Sequence, residues 1–399
     1  MTDRLKSAVV AGAGIVGRVN ALLLARCGFE VTLVDAAETA AAEPENPLSV
    51  RSVAVSYRSQ QLLESAGLWA EIGCPIHTVH VNEQGKFGAV RFNASEFSIP
   101  ALGYVVKNHL LESHLADLIR SEPNICCLQP ASAKLDGSPG NPVSLLIHSA
   151  TAAQSCKTQL LVAADGTTSS LRQQLGIDVK TTDYHQLAVV ANVVCQHDHH
   201  HVAFERFTDS GPLALLPLDW RQMALVYTVP ADRADEIRAL TDRQLITEIQ
   251  QRFGGKLGQI RDIGPRAVLP LKLTEAVRQS VGCGVLIGNA ARTLHPVAGQ
   301  GLNLALRDVF ELAGQLAAHP VIETALDKFT TARRSDQQFV VRQTDTLARV
   351  FRKHRWPLSA SLGLARQSSM LLLDTVKPLR TQFGRRNVGI GIPLTPHGH

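Results

Sequence analysis

The sequence predicts an α/β fold with three parts: a Rossmann-like dinucleotide-binding domain, an antiparallel-sheet substrate domain inserted into it, and a C-terminal helical segment. Residues 5–35 show the pattern strand, glycine-rich turn, helix and strand, which is typical of the start of a parallel sheet. Strand patterns then dominate from about residue 180 to about residue 270, with one helix pattern over 235–253. After Gly301 the pattern is helical, with breaks near His319-Pro320 and Trp356-Pro357.

The first strand–turn–helix unit predicts a ligand site. The apolar run 5–11 leads into Gly12, Gly14 and Gly17, and a helical pattern follows. In this arrangement Gly12 allows a tight turn, Gly14 lets the backbone approach a pyrophosphate, and Gly17 lets helix and strand pack closely. Asp35 ends the second strand and is placed to accept hydrogen bonds from ribose hydroxyls. The unit therefore predicts a dinucleotide site, and by itself it does not distinguish FAD from NAD.

The remaining elements follow from apolar periodicity and from Gly and Pro stops. The sequence predicts helices over 56–66 and 109–120, and strands within 76–106 and over 160–163, 187–194, 202–207, 213–216, 223–229, 267–271 and 285–287. These patterns place the dinucleotide-binding domain at 1–75, 108–178 and 271–330, the substrate domain at 76–107 and 179–270, and the helical segment at 331–399.

Composition excludes several classes of protein. Of the 399 residues, 45% are hydrophobic and 19% charged, which is typical of a globular protein, while 5% aromatic residues disfavour base stacking with nucleic acid. The seven cysteines include no CxxC pair, which predicts a reducing compartment and neither a disulfide framework nor a metal site. No apolar run has the roughly 18 residues that a transmembrane helix needs, so we expect a cytoplasmic protein without a nucleic-acid partner.

The net charge of +5 is concentrated near the C-terminus. The stretch from Arg333 to Arg386 holds twelve Lys or Arg and three Asp, so it carries +9 and the rest of the chain −4. The favoured interpretation is a helical cap on the dinucleotide-binding domain. The alternative is a basic surface, including the weakly amphipathic run 358–373, that contacts the inner membrane from the cytoplasm or other proteins of a biosynthetic complex.

Two further turns follow predicted buried strands. Asp165-Gly166 follows the strand at 160–163, and alone it is interpreted as a turn with a helix cap. The segment 288–303, GNAARTLHPVAGQGLN, follows the strand at 285–287 and opens a long helix. The N-terminal amides of that helix are well placed against the edge of a flavin ring that becomes negative on reduction.

The motifs GAGIVG, ADG and GNAARTLHPVAGQGLNLALRD, in this order and spacing, resemble the FAD-dependent aromatic hydroxylases of the para-hydroxybenzoate hydroxylase fold over nearly the whole chain. The chain is most similar to the hydroxylases of ubiquinone biosynthesis. Residues 186–217, QLAVVANVVCQHDHHHVAFERFTDSGPLALLP, resemble the branch that acts on 2-octaprenyl-6-methoxyphenol. The resemblance implies an FAD monooxygenase that uses O2 and NADPH or NADH. It also implies hydroxylation of a 2-polyprenyl-6-methoxyphenol to the 1,4-benzoquinol through a flavin C4a-hydroperoxide.

The resemblance also implies the residues that hold FAD. Asp35 stands where much of the family has Glu, and Asn289 stands where most of it has Asp, although the octaprenyl-methoxyphenol branch is similar in having Asn. The residues implied to bind the cofactor are Gly12, Ala13, Gly14, Gly17, Asp35, Arg51, Asp165, Gly166, Gly288, Asn289, Pro296, Gly299, Gln300, Gly301 and Asn303.

The sequence identifies no catalytic base with a clear signature. His295 adjoins the flavin loop and is the candidate, but a loop histidine is more often a hydrogen-bonding spacer. The histidines at 197 and 199–201 are interpreted as a solvated hairpin loop rather than a metal site. The neighbouring Cys126 and Cys127 are interpreted as packing residues of a buried strand.

Other functions are compatible with the same residues. One is hydroxylation at another ring position or of a small soluble phenol; others are a flavin-linked reductase or halogenase and a non-catalytic flavin-binding subunit of a biosynthetic complex. The halogenase signature WxWxIP is absent from the sequence. A long apolar tunnel through the 180–270 sheet would favour a prenylated substrate, and a small sealed pocket would oppose it. The pattern is compatible with any prenyl length and with a homo-oligomer.

Overall fold

Helices and strands fill most of the residues that the computed structural model describes, which are 6–37, 46–86, 88–137, 140–150, 152–350 and 376–390. The helices are α1 (Ile15–Arg26), α2 (Tyr57–Ser65), α3 (Asn108–Ser121), α4 (Ser170–Gln174), α5 (Ala234–Ala239), α6 (Asp242–Phe253), α7 (Gln300–Ala318), α8 (Ile322–Val350) and α9 (Lys377–Asn387). The strands are β1 (Lys6–Ala11), β2 (Phe29–Val34), β3 (Ser52–Ser56), β4 (Cys74–Ile76), β5 (Thr78–Glu83), β6 (Ala89–Asn93), β7 (Gly103–Lys107), β8 (Ile125–Leu128), β9 (Ala131–Leu135), β10 (Val143–Ser149), β11 (Ala153–Thr158), β12 (Leu160–Ala163), β13 (Val179–Cys195), β14 (Val202–Thr208), β15 (Gly211–Pro217), β16 (Gln222–Pro230), β17 (Ile260–Ile263), β18 (Ala267–Ala276), β19 (Ser280–Val281), β20 (Gly284–Leu286) and β21 (Arg292–Thr293).

A six-stranded sheet carries the N-terminal glycine turn, with the strand order β19-β20-β12-β1-β2-β8. The strands from β20 to β8 are parallel, and β19 joins antiparallel to β20. Its strands are apolar runs because both faces are covered, and Val10 and Leu33 are fully buried. Since β1, β12 and β20 are parallel neighbours, their carboxyl ends meet at one edge of the sheet. Gly12, Asp165 and Gly288 follow these strands and therefore share that edge.

A nine-stranded sheet forms the predicted substrate domain, with the order β21-β18-β13-β16-β15-β14-β5-β6 and with β17 paired to β13. It is antiparallel, as predicted, except that β14 and β5 run parallel. This pair joins residues 78–93 to the later strands. Alternate residues face opposite sides of the sheet, and Val193 and Leu225 pack against Leu245 and Ile249 of α6. The other side of the sheet is therefore free to face the first sheet and its loops.

The structure moves three of the predicted domain boundaries. β18 continues to Ala276 within the large sheet, so the boundary at 270 divides a strand. β7 pairs with β3 and β4 in a separate three-stranded sheet, so residues 103–107 do not belong to the large sheet. α8 begins at Ile322, so the boundary at 330 lies inside a helix. The reason is common to all three: strand partners and helix partners lie far away in sequence.

Other differences concern single elements. The helix pattern over 235–253 is two helices, because Thr241 begins α6 with a capping box to Gln244. The three-stranded sheet β11-β10-β9 has no counterpart among the predicted strands. Cys126 and Cys127 do lie in a strand, but both are exposed because β8 is the edge strand of its sheet. The prediction that they are buried is wrong.

The basic C-terminal segment is partly neutralised inside the fold. α7 ends at Ala318 and α8 begins at Ile322, which confirms the predicted break. On α8, Arg333 is 2% exposed and binds Asp308 of α7, with Nε 2.7 Å from Oδ1. On α9, Arg380 pairs with Glu96 at 3.1 Å. Several charges of this segment thus hold helices in place, as the cap interpretation expects.

The alternative interpretation predicts a membrane contact for part of the basic C-terminal segment. The predicted break near Trp356-Pro357 and the run 358–373 lie outside the described residues. Within the described ranges, no helix has both the length and the apolar character needed to cross a bilayer.

Candidate cofactor and substrate site

The turn between β1 and α1 shows why its glycines are needed. Gly12 has a φ of +108°, and a Cβ there would lie 2.3 Å from the carbonyl oxygen of Ala164. A Cβ on Gly17 would lie 1.8 Å from the carbonyl oxygen of Gly12, so only glycine lets α1 approach the turn. Gly14 differs, because its φ of −70° suits any residue and a Cβ there would meet no atom within 4 Å. Open space therefore lies above Gly14, where the N-terminus of α1 presents its amides.

Asp35 lies beside this turn. Its Oδ2 accepts a hydrogen bond from the backbone N–H of Ala13, and its Oδ1 accepts one from the N–H of Ala37 at 2.7 Å. Each carboxylate oxygen has a second lone pair for a ligand. The structure therefore brings Asp35, Ala13 and Gly14 together, as the predicted dinucleotide site requires.

Asp165 follows β12 at the same edge of the sheet, and its role within the protein is visible. Its Oδ1 accepts the hydroxyl of Ser169, and its Oδ2 accepts the N–H of Leu171 at 3.2 Å. Both oxygens thus hold the start of α4, and Gly166 makes the turn with a φ of +86°. This is the turn-and-cap interpretation, and a contact of Asp165 with FAD stays a prediction.

The loop that opens α7 reaches the first turn. Gly288 has a φ of +59°, and a Cβ there would lie 3.3 Å from a methyl carbon of Val16 in α1. Gly299 has a φ of +58° and is the N-cap of α7, so no side chain covers the first amides of this helix. A Cβ on Gly301 would meet no atom within 4 Å. The N-terminus of α7 is therefore a second open set of amides.

Asn303 joins this loop to β3. Its Oδ1 accepts the N–H of Ser56 at 2.7 Å, and its Nδ2 donates to the carbonyl oxygens of Ala54 at 3.0 Å and Gly299 at 2.7 Å. The side chain is 2% exposed. Its hydrogen bonds are used within the protein, so Asn303 positions the wall of the site.

The other predicted residues fall into two groups. Arg51, just before β3, and Asn289, just after β20, are exposed to solvent. Pro296 and Gln300 line a cavity together with Gly299, Gly301 and Asn303. The structure thus separates a group at the carboxyl edge of the six-stranded sheet from a group at the cavity wall.

The two groups fit FAD. The N-termini of α1 and α7 both present amides to open space, at Gly14 and at Gly301, and the two helices pack against each other. Such helix ends stabilise the negative charge of a pyrophosphate and of a reduced flavin ring. The arrangement can therefore hold one elongated cofactor with an anionic centre.

A cavity of about 520 Å³ lies between the α7 loop and the large sheet. β3 and residues 294–303 form one wall, strands β5, β6 and β14–β16 form the facing wall, and residues of α9 lie along one side. The side chains that the sheet contributes are mostly apolar and include Val79, Val81, Val90, Phe92, Ala203, Phe207, Ala214, Leu216 and Val226. The volume is that of a small-molecule site, and the lining favours an apolar substrate.

His295 lines this cavity, and its geometry favours the spacer interpretation. It is 1% exposed, and its Nδ1 accepts the N–H of Val297 at 3.1 Å. Burial lowers its pKa to about 4, so the ring is neutral near pH 7. Because Nδ1 accepts, the ring proton sits on Nε2, which can donate a hydrogen bond but not take a proton. His295 is thus unsuited to be the catalytic base.

Sequence reasoning missed an acidic residue in the cavity. Glu205 of β14 lines it, its Oε1 is sealed from solvent, and that oxygen has no hydrogen-bond partner among the described residues. Burial raises the pKa of this carboxyl to about 7. The alternation of side chains along a strand predicts that Glu205 and Phe204 point to opposite faces of the sheet. Only the structure shows which of the two faces lines the cavity.

The turn at residues 197–201, which we call the histidine turn, lies beside a cysteine that the sequence did not indicate. Cys74, at the start of β4, lies with its Sγ 3.4 Å from Nδ1 of His201. The sulfur and one ring nitrogen each of His199 and His201 lie within 4.8 Å of one another. Cys74 lies more than a hundred residues before the turn, so no local spacing could reveal it.

The chain is similar to known FAD-binding proteins and hydroxylases. Residues 6–344 match the family described as FAD binding domain. The ubiquinone hydroxylase UbiL of Rhodospirillum rubrum is 31% identical over 97% of this chain and 90% of its own length. The 3-demethoxyubiquinol 3-hydroxylase of Escherichia coli is 31% identical over 77% of this chain and 79% of its own length.

Solved structures agree on the fold. The p-nitrophenol 4-monooxygenase PnpA of Pseudomonas putida superposes with a TM-score of 0.80 and 17% identity, covering 97% of this chain and 99% of that one. The fold is thus shared beyond the range of clear sequence similarity.

Proposed function

This chain belongs to the FAD-dependent hydroxylases of ubiquinone biosynthesis, and from that premise we propose that it hydroxylates a 2-polyprenyl-6-methoxyphenol to the 1,4-benzoquinol. It is an FAD-dependent monooxygenase, with NAD(P)H and O2 as the co-substrates typical of its class. In such a reaction one oxygen atom of O2 enters the ring. The other oxygen atom becomes water with two electrons and two protons, of which NAD(P)H supplies both electrons and one proton as hydride and solvent supplies the second proton.

The apolar cavity supports this substrate class. Its sheet wall carries mostly Val, Ala, Leu and Phe side chains, and its other wall is the loop that opens α7. The volume of about 520 Å³ is shared between the flavin ring at the α7 loop and the substrate at the sheet wall, and the apolar side chains of that wall favour a substrate with apolar substituents. Each buried methylene group contributes about 0.8 kcal/mol of binding free energy, which favours a prenylated ring over a bare one.

The residues of this chain provide orientation and a dry site. FAD, when bound, supplies the oxygen-activating chemistry that no amino-acid side chain provides. The amides of α1 and α7 would hold its phosphates and ring, and Asn303 fixes β3 against α7 so that the ring has a rigid support. The apolar wall excludes water from the reacting ring carbon.

A second candidate function is hydroxylation of another ring position. The Escherichia coli relative is named for position 3 of a demethoxyubiquinol, and its identity to this chain equals that of the Rhodospirillum rubrum relative. A small soluble phenol and a non-catalytic flavin-binding role are the remaining alternatives, and the apolar lining argues against the first of them.

We also propose a peripheral contact between the C-terminal segment and an anionic membrane or a partner protein. Arg333 and Arg380 are used inside the fold, whereas Arg334, Arg342 and Arg385 are exposed. A polyprenylated substrate resides in or on a lipid phase, so a basic surface near the cavity would bring the enzyme to it.

The test is a direct assay of the FAD-loaded protein. We expect NADPH or NADH oxidation to rise severalfold with 2-polyprenyl-6-methoxyphenol, with one oxygen atom from ¹⁸O2 in the quinol. We also expect faster turnover when the substrate is supplied in anionic vesicles than in neutral ones. Stimulation by a demethoxyquinol instead would assign the other ring position, and oxidation that no phenol stimulates would support the non-catalytic role. Equal rates in the two kinds of vesicle would remove the membrane proposal alone.

A further inference from the structure

We propose that the carboxylate of Glu205 is the catalytic base that binds the phenol hydroxyl in the cavity and takes its proton during hydroxylation. The inference rests on the proposed function, because it needs a phenolic substrate in this cavity. Its starting point is a side chain whose position and lack of partners the rest of the fold does not explain.

The position of Glu205 follows from strand register. On β14, Glu205 lies opposite Val81 of β5 and Ala214 of β15, and all three line the cavity. Its neighbours in sequence point the other way: Phe204 packs edge-on against Phe253 of α6, with ring centroids 5.5 Å apart. The side chain therefore stands in the sheet wall that faces the α7 loop.

Glu205 is electrostatically isolated in that wall. The rest of the sheet wall is apolar except for the hydroxyl of Thr228, which, like Oε1 of Glu205, has no hydrogen-bond partner in the described part of the chain. Arg206 lies on the opposite face, where its guanidinium approaches Gly254 and influences His80 and Lys256. The other ionisable side chain of the cavity lining is His295, which is neutral and is a donor at Nε2.

An unpartnered buried carboxyl costs folding free energy, so its presence calls for a ligand. The ligand must offer a hydrogen-bond donor within an otherwise apolar molecule, and a phenol fits that description. Burial raises the pKa of Glu205 to about 7, so the group is partly ionised near neutral pH and binds a proton more strongly than an ordinary Glu.

The proton step balances with groups already named. The phenol O–H bond breaks, a new O–H bond forms on Glu205, and the electron pair stays on the phenolate oxygen. The phenolate makes the ring a better nucleophile towards the oxygen atom that the cofactor chemistry supplies. After hydroxylation the ring carbon loses its hydrogen as a proton, and Glu205 returns its own proton to the first oxygen of the quinol.

The experiment compares Glu205→Gln with the unchanged FAD-loaded enzyme. Gln keeps the shape and a hydrogen bond but cannot take the proton, so we expect kcat to fall about 100- to 10,000-fold with an ordinary phenol and KM to change little. The loss should shrink with a fluorinated or nitrated phenol that is already ionised at the assay pH. The matched control is Glu236→Gln, an exposed carboxylate on α5, which should leave kcat unchanged.

Two further measurements separate catalysis from structure. The kcat/KM of the unchanged enzyme should rise with pH through about 7, because the ionised carboxylate is the active form, and Glu205→Gln should lack this rise. The raised pKa also makes Glu205 destabilise the folded protein as pH rises above the unfolded pKa of about 4.3, with the full effect reached above about 7. The Tm of Glu205→Gln relative to the original should therefore be higher at about pH 8 than at about pH 5.

The outcomes are distinguishable from those of the proposed function. If the unchanged enzyme hydroxylates a phenol while Glu205→Gln keeps its kcat and pH profile, the base assignment is overturned and the function stands. If no phenol is hydroxylated by either protein, the proposed function itself fails, and the inference falls with it. A uniform drop in Tm and flavin content would show a structural role and would also overturn the assignment.

A second, independent inference concerns the far end of the large sheet: we infer that Cys74, His199 and His201 bind one transition-metal ion of the Zn²⁺ class. Their ligand atoms lie within 4.8 Å of one another, and the 3.4 Å between Sγ of Cys74 and Nδ1 of His201 is close to the roughly 3.5 Å between two ligands of tetrahedral zinc. His199 is 3% exposed; its Nδ1 accepts the N–H of His201 at 3.1 Å, and its Nε2 has no partner among the described residues. Binding a metal through Nε2 therefore moves the ring proton to Nδ1 and breaks the hydrogen bond from His201.

The surroundings favour a cation at this point. Asp198 lies beside the cluster, with its Oδ1 3.8 Å from Nδ1 of His199. A divalent ion would offset the charge of this carboxylate and would take the place of the thiol proton of Cys74. The ion would tie β4 to the turn that precedes β14.

Zinc titration of the FAD-loaded protein tests this site. We expect one equivalent of Zn²⁺ to remain after gel filtration, a higher Tm with Zn²⁺, and one sulfur ligand by X-ray absorption. Cys74→Ser should lose all three signals, whereas the matched controls Cys126→Ser and His200→Ala should keep them. Zinc retention by Cys74→Ser equal to that of the original protein, or no retention by either, would refute the site without bearing on hydroxylation.

Discussion

Gly17→Ala is expected to weaken FAD binding about 100-fold and to lower the FAD content of the purified protein. The added Cβ would lie 1.8 Å from the carbonyl oxygen of Gly12, and that atom belongs to the backbone, so no side-chain rotation can relieve the contact. α1 must therefore shift away from the turn. A shift that costs about 3 kcal/mol lowers FAD affinity by about 100-fold and destabilises the apoprotein by a similar free energy. FAD content after purification and urea unfolding of the apoprotein measure the two effects.

Gly14→Ala is the matched control for this prediction. A Cβ at Gly14 meets no atom within 4 Å, and the φ of −70° suits alanine. The free energy of unfolding of the variant apoprotein should therefore differ from that of the original by less than about 1 kcal/mol. The methyl group would nevertheless occupy the space into which a pyrophosphate must come, so FAD affinity should still fall. Equal apoprotein stability for the two variants would show that α1 does not pack as the structure has it.

Asp308→Ala is expected to destabilise the protein by about 3 kcal/mol, because it removes one of the two carboxylates that neutralise the buried Arg333 and leaves only Asp336. Asp308 is 2% exposed; its Oδ1 accepts Nε of Arg333 at 2.7 Å, and its Oδ2 accepts Nε2 of Gln337 at 3.0 Å. Arg292 also approaches Oδ2 at 3.5 Å. Because the ion pair between Asp308 and Arg333 joins α7 to α8, its loss should weaken the packing of α7, whose N-terminus lies at the predicted flavin site. Urea unfolding followed by circular dichroism measures the change.

The control is an exposed ion pair of the same type. Asp235 and Arg238 are 3.3 Å apart and largely exposed, so Asp235→Ala should change stability by less than about 0.5 kcal/mol. A similar small effect of Asp308→Ala would contradict the assignment of a buried network.

The same network predicts acid sensitivity. Burial opposes ionisation of Asp336, but Arg307 and Arg333 together hold the pKa of this carboxyl below its ordinary value. Its stabilising contribution is therefore present above the unfolded pKa of about 3.9 and is lost as pH falls through the lower folded pKa.

The fold class and the glycine-containing turns could be predicted from the sequence because they depend on residues that are close together along the chain. Gly12, Gly17, Gly288 and Gly299 are required by a positive φ or by the close approach of other atoms, and residue type alone meets such a requirement. Strand and helix periodicity likewise depends on which side of an element is buried. The α/β class followed from these local signals, the FAD-dependent hydroxylase family followed from the resemblance of the motifs to known proteins, and both were confirmed.

Only the tertiary structure decided which distant residues meet. The cavity exists because β5 of residues 78–83 pairs with β14, and that pairing places Glu205 opposite the α7 loop. Cys74 reaches the histidine turn through β4, and β8 exposes Cys126 by lying at a sheet edge. The physical reason is that strand order and register are set by the summed packing of many distant side chains, whereas a motif carries only the constraints of its own few residues.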